Sequence, residues 1–223
     1  MVGWHAGPRP GPDPRNDVFV NVTTDPDAVA RLAARYVIAD SAGAGPGGDL
    51  HRLAVRDRRP KARVMASEQR TCRRCSVLHV IDTPIASAEQ RMPALVTSLF
   101  ERFGARLRYL LAINGAYIAG ARAALPGAGR RGDDPPFGVA AGDGNAAEFA
   151  RIRTEDYQKG VDRRAAGPAG LAAHRRAQPI SRRAAASGYV APQRLISRAD
   201  VPDGGVFGPP GGYRGNYSRI WGR

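Results

Sequence analysis

Apolar positions recur most regularly between residues 76 and 125, and that stretch predicts the core. Val77, Leu78, Val80 and Ile81 form a short apolar run closed by Thr83-Pro84, the pattern of a strand over 76–82. Ile85, Ala88, Met92, Leu95, Val96, Leu99, Phe100 and Phe103 then repeat at steps of three and four, which places them on one helical face. Ser87 is placed to cap that helix and Gly104 to end it. Beyond Gly104, Leu107, Tyr109, Leu111 and Ile113 alternate, and Asn114-Gly115 is a hairpin signal. Residues 105–124 therefore read either as a hairpin or as one continuous Ala-rich helix.

The flanks carry weaker patterns. Residues 18–22, VFVNV, read as a strand, and Asp25-Pro26 opens a helix with Ala28, Val29, Leu32, Ala33, Tyr36 and Val37 on its apolar face. Residues 50–55 and 62–66 read as two strands joined by a turn over 57–61. Asn145 with Glu148 makes a capping pair for a helix running to about residue 158. The expected fold class is α+β: a small sheet with two amphipathic helices, followed by a largely irregular basic C-terminal extension. The expected domains are a disordered arm over 1–16, a core over 17–126, a linker over 127–144 and the basic extension over 145–223. That extension holds one or two short helices and an Arg/aromatic/Gly tail.

Composition supports extended ends. Gly and Pro together supply 45 of 223 residues, too many for a fully packed globule of this length. Charge narrows the picture further. There are 34 Lys and Arg against 20 Asp and Glu, a formal net charge of +14. Only Lys61 and Lys159 are lysines, so the surplus is guanidinium, a planar donor fork suited to phosphate. Codon bias in a GC-rich genome produces the same excess. Two cysteines argue against a disulfide-stapled secreted protein, and the first residues carry no leader-like apolar run. No uninterrupted apolar span is long enough for a membrane helix. The expectation is an intracellular, cytoplasmic or virion-associated protein.

The basic residues fall in clusters. Arg52, Arg56, Arg58, Arg59, Lys61, Arg63, Arg70, Arg73 and Arg74 form the first, diluted by only Asp57 and Glu68. Arg163-Arg164, Arg175-Arg176 and Arg182-Arg183 follow as pairs, and Tyr213, Tyr217 and Trp221 interleave with Arg214, Arg219 and Arg223 in the tail. Cations along a surface release condensed counterions from phosphates, and aromatic rings stack on unpaired bases. These residues are the expected nucleic-acid-binding set. Cys72 and Cys75, with His79 and His51, have ligand types that suit zinc, yet one close-spaced pair also reads as two incidental thiols. The glycines of 41–49 lack the Lys-Ser/Thr of a phosphate loop. His79, Asp82 and Ser87 are explained by a strand, a strand end and a cap. No catalytic set and no cofactor are expected.

In the Ala/Pro/Gly/Arg character of residues 119–223 and its overall basicity, the chain resembles the proline-alanine-serine-rich proteins with which polymycoviruses coat double-stranded RNA. The resemblance implies an RNA-coating or packaging viral structural protein that binds nucleic acid without sequence preference and self-associates into homo-oligomers through its core. Two other classes fit the same residues: a ribosomal or organellar-ribosomal RNA-binding protein, and a small α/β transferase-like enzyme with a basic tail.

Overall fold

From residue 26 onward helices and strands alternate, and that alternation decides the architecture. The computed structural model describes residues 2–4, 9–42, 50–56, 60–142, 144–164, 190 and 192–201. The chain divides into two units, one made of residues 1–25, 165–192 and 202–223, the other of 26–164 and 193–201.

In the first unit β1 (Val2–Trp4), β2 (Gly11–Asp13) and β3 (Val18–Val22) make a three-stranded sheet in the order β1-β3-β2, with β1 parallel and β2 antiparallel to β3. The strand over 18–22 is as expected. The expected arm is corrected at 2–4 and 11–13, which are paired strands. Val18, Val20 and Val22 are buried.

The second unit begins with α1 (Pro26–Ala42), then runs β4 (Leu50–Arg56), α2 (Pro60–Arg70), β5 (Cys75–Asp82), α3 (Ala88–Phe103) and β6 (Tyr109–Ala112). It continues through α4 (Gly115–Arg122), β7 (Phe137–Ala140), α5 (Ala146–Arg153), β8 (Gln158–Arg164) and β9 (Gln193–Ser197). Six strands join in the order β5-β4-β6-β7-β8-β9, all parallel except β9, which is antiparallel to β8. Crossovers that step leftward and rightward must use opposite faces, because such connections are right-handed. α2 packs on α1, whereas α3 packs on α4. All four residues of β6 are buried, as a central parallel strand covered on both faces requires.

Mixed α and β content is as expected, but the sheet is larger and parallel, with five α-helices among the described residues. Residues 62–66 are helix, not strand: Pro60 opens α2, and Lys61, Ala62, Met65 and Gln69 are buried at helical spacing. Residues 105–124 are neither hairpin nor one helix. Asn114 is extended (φ −157°, ψ 153°) and its Oδ1 accepts from the Ala116 N–H, so it caps α4, whereas a two-residue hairpin turn needs positive φ. Residues 127–144 hold β7, a central strand too short to stand out from its glycines and prolines. Residues 145–164 and 193–201 supply α5, β8 and β9; the rest of the basic extension lies outside the described residues. Met92, Val96 and Leu99 of α3 are buried as the periodicity predicts, whereas Phe100 is half-exposed under the Arg130 guanidinium, 5.3 Å from its ring centre.

Candidate functional site

A parallel sheet of this kind has two chemically different edges. Each strand leads into a helix N-terminus at its carboxyl end, and ligands bind there where strand order reverses. Here the order reverses between β4 and β6. Three of the connections at that edge bring polar side chains to it. Lys61, in the first turn of α2, is buried, and its Nζ donates to the Ala141 carbonyl just past β7 at 2.7 Å. Its side chain therefore reaches from the end of the β4 connection past β6 to β7. Burial and the positive end of a helix both disfavour a cation there.

Thr83, just past β5, is 1% exposed, and its Oγ1 has no hydrogen-bond partner; its carbonyl accepts from the Tyr117 hydroxyl at 2.7 Å. An orphaned buried hydroxyl costs about 1–3 kcal/mol. In the first unit Thr24 Oγ1, past β3, is likewise buried without a partner. Asp82 is exposed at the end of β5, Asn114 is half-buried at the end of β6, and Asn145 is exposed at the start of α5. Asn145 and Glu148 form a reciprocal capping box, as expected. The same Glu148 carboxylate closes against Gly115, where an added Cβ has no room, and accepts from Gln158 Nε2 at 3.3 Å. Gly142 approaches the Gly115 N–H so closely that a Cβ would lie 3.1 Å from it. Lys61, Thr83 and Gly142 are the buried polar floor of this edge; Asp82, Asn114 and Asn145 are its more exposed members.

The amino edge is built the opposite way. Asp40, near the end of α1, accepts from the Tyr109 hydroxyl at 2.5 Å and from Lys159 Nζ at 3.2 Å, and that ammonium also lies 4.2 Å from the centre of the Phe137 ring. Burial first, then the bond to Asp40 and its charge, hold the Tyr109 phenol protonated well above its usual range. Burial, then Asp40 and Asp200, push Tyr36 up to about 12. Two cavities of about 140 and 270 Å³ open here, sharing Glu155, Gln158 and Lys159. Their charges are already matched: Glu155 to Arg198 at 2.7 Å, Asp40 to Lys159.

Of the expected nucleic-acid residues, Arg63 and Arg70 on α2, and Arg73 and Arg74 after it, are exposed. Lys61 is corrected outright, since its ammonium faces a backbone carbonyl inside the protein. Arg52, Arg56, Arg163 and Arg164 sit in β4 and β8, where only the backbone is described. Arg58, Arg59, Arg175, Arg176, Arg182, Arg183, Tyr213, Arg214, Tyr217, Arg219, Trp221 and Arg223 lie outside the described residues. Other arginines serve internal pairing, as in Arg35–Glu68 and Arg122–Asp156. Cys72 and Cys75 are joined by a disulfide, which removes both as zinc ligands and corrects the reading as incidental thiols; His79 packs against the Phe103 ring. No group of three or more metal-ligating side chains exists among the described residues. The Lys61–Ala141 contact was beyond sequence reasoning, because the two are 80 residues apart.

No protein-family model matches the chain, and no curated protein sequence matches it. Solved structures do. An ABC transporter solute-binding protein from Agrobacterium vitis, bound with alpha-D-tagatopyranose, aligns with TM-score 0.69 at 14% identity over 91% of this chain and 65% of its own. A galactofuranose-binding protein aligns with TM-score 0.63 at 12% identity over 80% and 61%. A glucose-galactose binding protein from Geobacillus stearothermophilus aligns with TM-score 0.66 at 10% identity over 86% and 66%. This chain thus spans less than two thirds of each neighbour's length. At these identities the likeness is one of fold. It overturns the expected RNA-coating viral protein with nucleic acid as partner: the chain has the fold of proteins that bind sugars.

Proposed function

We propose that the chain binds a small neutral polyol of the sugar class at the carboxyl edge of its six-stranded sheet, as a solute-binding module and not an enzyme. The observation that carries this is the gathering of polar groups where strand order reverses, with Lys61 laid across that point. Sugars present hydroxyls that both donate and accept. Amide, carboxylate and threonine groups at a parallel sheet's carboxyl ends supply complementary partners, and the fold likeness to sugar-binding proteins supports that choice of ligand. Asn114 and Asn145 both stand at this edge, and each accepts a helix-cap hydrogen bond on its Oδ1.

The test is calorimetric titration of the protein with D-tagatose, D-galactose and D-glucose, alongside glycine and inorganic phosphate. Saturable heat with one of the hexoses, matched by a rise in melting temperature, is expected. Silence with every hexose, or saturation with phosphate or glycine instead, overturns the reading.

A further inference from the structure

The sugar reading leaves the Cys72–Cys75 pair unexplained. The disulfide closes a turn between the end of α2 and the first residue of β5, at the amino edge, with Cα atoms 5.3 Å apart. Both cysteines are partly exposed, and Arg73 and Arg74 between them are exposed. Among the described residues neither arginine pairs with a carboxylate.

As a staple the bond has little to do. A closed loop of four residues gains least from cross-linking entropy. The turn is already fixed by backbone hydrogen bonds from Thr71 N–H to the Glu68 carbonyl, from Cys72 N–H to Gln69, and from Cys75 N–H to Cys72, at 3.1, 3.3 and 3.1 Å. As a reactive group it is well placed. Guanidinium neighbours stabilise a thiolate and so improve it as a leaving group. That help matters here, since the negative end of α2 beside Cys72 acts the other way.

We propose that Cys72–Cys75 is a thiol–disulfide exchange site whose substrate is an external dithiol. One thiolate of the dithiol attacks one sulfur of the pair; the Cys72–Cys75 bond breaks, and its electrons leave on the other sulfur, beside Arg73 and Arg74, to be protonated. The dithiol's second thiolate then attacks the mixed disulfide and departs as the cyclic disulfide of the reductant. Two electrons and two protons pass to Cys72 and Cys75, and the reverse sequence returns them.

The experiment compares reduction of the native protein by dithiothreitol with reduction of the same protein unfolded in urea, trapped by iodoacetamide and counted by intact mass. The expected result is a two-thiol product formed natively about tenfold faster than in urea, re-closed by oxidised dithiothreitol, with the protein still folded throughout. In the double variant Arg73→Gln/Arg74→Gln the native rate falls to the unfolded one. A native rate equal to or below that in urea, loss of the fold on reduction, or an unchanged rate in the arginine variant overturns the proposal.

Discussion

The two edges of the six-stranded sheet are built from similar side chains and end in opposite conditions. Around the two cavities of the amino edge the charges are paired: Asp40 holds Lys159 and the Tyr109 hydroxyl, and Glu155 holds Arg198. At the carboxyl edge a lysine lies buried against a backbone carbonyl, and a threonine hydroxyl has nothing to bond. Folding alone does not favour a buried hydroxyl without a partner, whereas the proposed polyol ligand brings one. The two described cavities open at the amino edge, among those pairs.

The largest expected effect comes from between the edges. Leu110→Ala, in the buried centre of β6, costs about 2–5 kcal/mol by urea denaturation and weakens both edges together. Tyr109→Phe removes the hydroxyl that Asp40 accepts, costs about 1.5–3 kcal/mol, and leaves hexose affinity unchanged; a fall in affinity would show that the edges are not independent. Alkali acts on the same edge. Tyr36 titrates near 10 when unfolded and about 12 when folded. Its contribution is therefore complete below pH 10 and is lost as pH rises toward 12, so the urea midpoint falls across that window and falls less in Tyr36→Phe. The smallest expected change has the opposite sign: Thr83→Val removes an orphaned hydroxyl and raises stability by up to about 1 kcal/mol.

Local signals in the sequence located much of the fold. The apolar spacing of Ala88, Met92, Val96 and Leu99 marked α3, Asp25-Pro26 opened α1, and Asn145 with Glu148 capped α5. What could not be read was the parallel pairing. β7 is only FGVA between glycine- and proline-rich flanks, and it belongs in the centre of the sheet because β6 and β8 pair with it, a non-local fact. Asn114-Gly115 carries one signal for two turns, and the extended φ of Asn114 selects the helix cap. The proposed site was out of reach of the sequence for a similar reason. Arginine clusters are conspicuous in a sequence, whereas Lys61 and Thr83 acquire meaning only when the topology brings β5, β6 and β7 to one edge.

The most direct measurement is hexose titration of Asn114→Ser beside the unaltered protein. Serine keeps an oxygen for the Ala116 N–H and so preserves the α4 cap, while the amide donor at the reversal point is lost. The account predicts that affinity for the bound hexose falls at least about tenfold, some 1.4 kcal/mol, with the melting temperature of the unliganded protein nearly unchanged. Undiminished affinity in a variant that melts normally would contradict the placement of the sugar at this edge.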